Sequence, residues 1–127
     1  MTDYKEVYLA STRAYQDQDI DAMMKHVTDD FSWYNIMPDG ANQIASGKEQ
    51  ASTGMKTVFE NIDYISGHVD FAKTFGDILV AVETDTIRIE GNKVRMRRMS
   101  IYECKEDKLH RCWSFPIKDD AAADSEG

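Results

Sequence analysis

ILVAVETDTIRIEGNKVRMRRMSIYEC, residues 78–104, holds two long runs of β-branched, aromatic and alternating residues, interrupted by Glu90-Gly91-Asn92. Val, Ile, Thr and Tyr suit a pleated, half-buried surface, and a Gly-Asn pair marks a tight reversal. Similar turn signals stand at Gly76-Asp77 and at Lys105-Glu106-Asp107. Strands are therefore predicted over about 62–73, 78–89, 93–104 and 108–117. Connections this short join antiparallel neighbours, so the second half of the chain reads as a four-strand meander.

Upstream of Ile62 the rhythm is helical. Tyr4, Val7, Tyr8, Ala14 and Tyr15 recur at i, i+3, i+4 spacing behind Asp3, with Glu6 three positions on, which predicts a helix over about 3–17. Asp19 caps a shorter second helix whose inward stripe is Ile20, Met23, Met24 and Val27, and the two helices form a hairpin. Phe31 to Met37 alternates as a strand and stops at Pro38-Asp39-Gly40. Ser46-Gly47-Lys48-Glu49 has capping-box spacing, and Ala51, Met55, Val58 and Phe59 follow on one face, which predicts a third helix over about 47–60. Gly54 inside that helix either weakens it or lets a neighbour pack closely.

A chain of 127 residues has room for one domain, placed at 1–117, with a small-residue, acidic tail at 118–127 expected to be disordered. Its net charge of -8 repels a phosphate backbone, and Arg95, Arg97 and Arg98 form too short a cluster to reverse that field, so nucleic acid is not an expected partner. Met1 to Val7 hold acids and no long apolar stretch, and no eighteen apolar residues run together, so neither a leader nor a spanning helix is expected, and the expected location is cytoplasmic. Cys104 and Cys112 then read as reduced thiols. His26, His68 and His110 are scattered without metal-ligand spacing, and no glycine-rich nucleotide loop occurs; neither a metal nor a cofactor is expected.

The order of these elements, with several local signatures, resembles the nuclear transport factor 2-like superfamily and its SnoaL-like branch. The residues that carry the resemblance are Tyr15-Gln16-Asp17-Gln18-Asp19-Ile20-Asp21-Ala22 and His26-Val27-Thr28-Asp29-Asp30-Phe31-Ser32-Trp33, followed by Pro38-Asp39-Gly40, Gly47-Lys48-Glu49 and Asp107-Lys108-Leu109. The fold that this implies is α+β: a cone-shaped, curved antiparallel (mixed) sheet wrapped around three N-terminal helices, a cystatin-like α+β barrel. Relatives of this kind include isomerases, cyclases, epoxide hydrolases and noncatalytic binders, so the fold alone does not name an activity.

The resemblance also implies which strand faces look into the cone. Asn35 stands where the similar ketosteroid isomerases carry a proton-shuttling aspartate, and an amide cannot shuttle a proton. It reads either as an orienting group for a carbonyl or water, or as an amide bonded to nearby backbone. Glu83 and Asp85 share a face with Ile87, and the implied phase turns both inward; the opposite phase would bury Val80, Val82 and Thr84 instead. Two inward acids in a low-dielectric pocket would separate into an acid and a base. Arg98 shares its face with Met96, Ser100 and Tyr102 and is placed to pair with either acid. That set resembles the water-activating arrangement of the epoxide hydrolases, with Ser100 where a second aspartate is expected.

On the last strand the implied phase sends His110, Cys112 and Ser114 toward the helices and Trp113 and Phe115 to the outer face, while the reverse phase would make Trp113 a pocket wall. Ser114 and His110 lie four positions apart, about 13 Å along a strand, too far for a nucleophile pair. Outer aromatic residues predict a homodimer through the sheet. Ser11 and Tyr15 on the first helix, Trp33 on the first strand, and Met55 and Phe59 on the third helix complete the expected ligand-binding set. Ser11 occupies the place of the isomerases' oxyanion-donating phenol. The reading at this level is a small-molecule pocket protein: a cofactor-independent acid-base isomerase, cyclase or hydrolase acting on a small hydrophobic substrate, or a noncatalytic ligand-binding or dimerisation domain.

Overall fold

The computed structural model describes residues 2–117, so the tail expected over 118–127 lies outside the described residues. In chain order the elements are α1 (Tyr4–Gln16), α2 (Ile20–Met24), β1 (Val27–Met37), β2 (Gly40–Ser46), α3 (Lys48–Asn61), β3 (Asp63–Phe75), β4 (Ile78–Ile89), β5 (Asn92–Lys105) and β6 (Lys108–Ile117). Asp3 and Asp19 cap α1 and α2, accepting from the backbone amides of Lys5 and Ala22. Both supply an acceptor to amides that have no partner inside their own helix. The second helix is only five residues long and has no buried residue.

Three local expectations need correction. Val27 belongs to β1 rather than to the stripe of α2, because the chain turns into the sheet directly after His26. The segment after Pro38-Asp39 is a further strand, β2, which closes a hairpin with Met37 opposite Gly40. Its Gly, Ala and Asn residues have low strand preference, and only Ala45 in it is buried, which left no alternating signal. Ser46 ends β2 and so does not cap α3. That helix opens instead through Gly47 at φ 94°, a backbone region that favours glycine, and the Ser46 amide donates to Gln50 Oε1 at 2.9 Å.

The six strands form one mixed sheet in the order β2-β1-β6-β5-β4-β3, with β1 parallel to β6 and every other pair antiparallel. Strands β3 to β6 are the predicted meander. The sheet stays open, with β2 and β3 as its edges, yet α3 touches β1, β2 and β3 and therefore spans from one edge to the other. Register shifts in β3 between Tyr64 and Ser66 and between Val69 and Phe71 supply two of the bends that curl it. Gly54 faces the Trp33 ring, where a Cβ would make an ordinary van der Waals contact at 3.5 Å, so the packing of α3 on the sheet does not depend on the glycine.

The core runs under α1 and is built from Tyr8, Val27, Phe31, Leu79, Ala81 and Leu109 with their neighbours. Leu79 is wholly enclosed, at 0% exposure. Leu79→Ala is expected to lower unfolding stability by about 3 kcal/mol in a urea titration, the transfer loss plus the cavity left behind; a change below about 1 kcal/mol would show that the site collapses without cost.

Candidate functional site

Between the helices and the concave face of the sheet lies a cavity of about 130 Å³. Its apolar wall is made by Met23 and Met24 of α2, Phe31 and Trp33 of β1, and Met55 and Val58 of α3. The opposite wall is polar, with Ser11 and Tyr15 from α1, Glu83 from β4, Arg98, Ser100 and Tyr102 from β5, and Ser114 from β6. Strand periodicity creates this division, because alternate residues of β4, β5 and β6 point the same way.

The polar wall centres on Glu83, Asp85 and Arg98. Glu83 lies opposite Arg98 in the β4–β5 register, and both acids are buried, which settles the strand phase in favour of inward carboxylates. Val80 and Val82 take the outer face. Arg98 Nη2 is 3.5 Å from Asp85 Oδ2, whose side chain is only 5% exposed. The Tyr8 hydroxyl donates to Glu83 Oε1 at 3.2 Å, and the Tyr64 hydroxyl donates to Asp85 Oδ1 at 3.4 Å. Gly67 pairs with Asp85 across the β3–β4 register, and a methyl group at that position would collide with both the Tyr64 hydroxyl and the Asp85 carboxylate. A hydrogen-sized side chain is what lets β3 approach the acid.

Burial and the neighbouring negative charge of Glu83 push the Asp85 carboxyl up to about 7, against the opposing pull of Arg98 and Tyr64. Burial also works against charge on Arg98, but Glu83, Tyr15 and Asp85 outweigh it and hold the guanidinium above its ordinary value. Burial raises the Tyr15 phenol, with Arg98 opposing. The same desolvation, with Glu83 adding to it, raises Tyr8; Tyr64 is raised by burial and by Asp85. Tyr8 and Tyr64 are therefore protonated donors toward the acids. Cys112, on the cavity wall, has its thiol pushed up to about 12 by burial, which keeps it out of nucleophilic chemistry.

Of the residues expected from sequence, Glu83, Arg98, Ser11, Tyr15, Trp33, Met55 and Ser100 line the cavity. Asp85 stands behind Arg98 without reaching the lining. Asn35 pairs with Ser114 in the β1–β6 register and so shares the inward phase, but it too lies outside the lining. Four residues expected in the ligand-binding set do not line it. Phe59 packs behind Tyr15, with ring centroids 5.6 Å apart. Met96 has the inward phase, opposite Asp85 in register, but is 40% exposed. A register shift in β6 puts Leu109 inward in place of His110, whose Nδ1 instead lies 2.9 Å from Thr28 Oγ1. Trp113 lies on the outer face, stacked on Tyr34 with Arg111 over its ring.

Sequence reading missed the contributions of Thr12, Phe31, Tyr102, Leu109, Cys112 and Ser114 to the lining. The inward phase of Cys112 and Ser114 was readable; their place in the cavity wall was not. Among the described residues, no group of three or more His, Cys, Asp or Glu is gathered as a metal site.

An open sheet curled over three helices, with a half-polar cavity between the layers, defines the class of α+β pocket domains. This chain belongs to the SnoaL-like domain family, whose sequence profile matches residues 8–112. Solved structures share the fold. An LEH-like epoxide hydrolase of M. tuberculosis superposes with a TM-score of 0.75 at 15% identity, covering 88% of this chain and 80% of its own. A ketosteroid isomerase-like protein of Catenulispora acidiphila in complex with trimethylamine also reaches 0.75 at 15% identity, covering 90% and 85%. A cystatin-fold protein of Novosphingobium aromaticivorans gives 0.72 at 22% identity, covering 89% and 96%. A comparison with curated protein sequences gives no match.

The raised Asp85 carboxyl has a consequence for stability. Between pH 3.8, its ordinary value, and about 7, the folded chain keeps a proton that the unfolded chain has released. Stability contributed by this group therefore falls as pH rises through that window and stays low above it. Asp85→Asn removes the titrating group. Urea midpoints measured from pH 4 to 8 are expected to fall less steeply in the variant, and identical slopes would show that Asp85 ionises normally.

Proposed function

We propose that this protein binds a small, mostly apolar molecule carrying one or two polar groups and performs acid-base chemistry on it with Glu83, Arg98 and Asp85. The observation that carries this reading is an acid on the cavity wall beside a second acid whose carboxyl titrates near neutral pH, the two arranged around one arginine. Such a pair supplies a base and an acid from the same residue type. Glu83, facing the cavity, takes a proton from a carbon or from a water. Arg98 stabilises negative charge that develops on substrate oxygen, and Glu83 then gives the same proton back at a second carbon or oxygen, with Asp85 hydrogen-bonded to it behind the wall. Tyr15 and Ser11 add hydroxyl donors from α1.

Several features support a small ligand. The cavity is close in size to the engineered protein cavities of about 150 Å³ that hold benzene. One structural relative is in complex with trimethylamine, a molecule that a space of this size takes. Another relative is an epoxide hydrolase, which makes hydrolysis of a small epoxide one reaction to try, and isomerisation of a small β,γ-unsaturated ketone is the second. Turnover of one of these is expected, with Glu83→Gln lowering it at least about a hundredfold. In carbon-13 NMR, the Asp85 carboxyl is expected to titrate near 7, and a value near the peptide range of about 4 would remove the acid-base reading.

The outer face of the sheet favours a homodimer as the working form. Val80, Ile101 and Trp113 lie side by side across β4, β5 and β6, as do Val82, Met99 and Phe115, and all six are only half-buried. A second copy would cover these rows. Sedimentation velocity is expected to give twice the chain mass, and Ile101→Lys to give the monomer; a monomeric parent at micromolar concentration would count against the dimer.

A further inference from the structure

One group in the cavity has no role in the acid-base reading. Ser114 lines the polar wall at 2% exposure, and its Oγ has no hydrogen-bond partner among the described residues. A buried hydroxyl left without a partner costs stability, so its presence calls for a physical reason. Ser100, also buried and also on the cavity wall, sits directly across from it in the β5–β6 register. On the other side Asn35 of β1 pairs with Ser114, and Trp33 and Cys112, paired two residues earlier on β1 and β6, bring aromatic and sulfur surface to the cavity wall. Ser114 thus stands between Ser100 and Asn35 with its own hydroxyl unpartnered, two strands away from the Glu83 carboxylate and on the opposite side of Arg98's strand.

We propose that Ser114 is the anchor for the ligand's oxygen: its hydroxyl donates to a carbonyl, ether or hydroxyl oxygen of a bound molecule whose hydrocarbon part lies against Trp33 and the methionines. This rests on the cavity being a ligand site, as in the preceding subsection, but not on any acid-base chemistry taking place there. The placement separates two tasks within the cavity. Glu83 and Arg98 on β4 and β5 face the reacting end, while the Ser114 hydroxyl on β6 fixes the orientation from a neighbouring strand. The ligand class that satisfies both is a small cyclic or branched hydrocarbon bearing an acceptor oxygen. A carboxylate ligand would be disfavoured by Glu83, and a pure hydrocarbon would leave the hydroxyl without a partner.

The test uses two probes of matched shape, cyclohexanone and methylenecyclohexane, which differ only in whether an oxygen or a CH₂ group ends the double bond. Binding to the full chain is followed by methyl NMR at Met55 and Val58, in the parent and in Ser114→Ala. The variant is expected to weaken cyclohexanone about five- to tenfold, the net value of one hydrogen bond, and to leave methylenecyclohexane unchanged or slightly tighter. Its melting temperature is expected to equal or exceed that of the parent, since the substitution removes a buried hydroxyl that bonds nothing in the fold. Equal loss for both probes, no binding of either, or a melting temperature lowered by several degrees would each overturn the proposal. Failure of the acid-base reading shows elsewhere, in a normally titrating Asp85, and leaves the probe comparison intact.

Discussion

Two carboxylates can be buried two residues apart on one strand only if a positive charge faces them from the next. Arg98 meets that condition from β5, opposite Glu83 in register and within reach of Asp85. An isolated buried carboxylate costs several kcal/mol, and two together cost more, so the set is stable through charge compensation and through protonation of one acid. The two phenols complete the arrangement by donating to the acids from α1 and β3. Much of the surrounding architecture follows from that need. Strand β3 carries a glycine where it passes Asp85, and α1 carries a tyrosine that is both core and hydrogen-bond donor.

The meander was legible because its signals are local. β-Branched runs separated by Gly-Asp, Glu-Gly-Asn and Glu-Asp dictate strands and reversals without reference to anything distant. Strand β2 was not legible for the opposite reason: as an edge with one buried residue, it is held by pairing with β1 rather than by its own composition. The phase of β4 lay between these cases. Read alone, a strand with Glu83 and Asp85 on one face argues for solvating that face, since charged residues are seldom buried. The compensating arginine stands thirteen residues away from Asp85 and becomes a neighbour only when the hairpin forms.

The site was legible to the same degree. Residues on unbroken stretches of strand or helix, such as Arg98, Ser100 and Tyr15, line the cavity as their spacing indicated. Two of those that departed lie on strands whose pairing or exposure differs from the simple alternation. His110 is displaced by the register shift that brings Leu109 inward, and Met96 keeps its inward phase but stays exposed. Neither departure leaves a mark in residue identity, because a bulge is a property of pairing between strands and cover is a property of the assembled layers.

The cavity's two walls differ in stiffness as well as in polarity. On one side the groups are fixed by the hydrogen-bonded ladders of β4, β5 and β6. On the other, Met23 and Met24 hang from a five-residue helix that buries nothing of its own, and thioether side chains rearrange at little cost. On the proposed ligand reading, a guest would be judged strictly on where its heteroatoms fall and leniently on its outline. Bulk added toward α2 would be absorbed, whereas the same bulk turned toward the sheet would have nowhere to go.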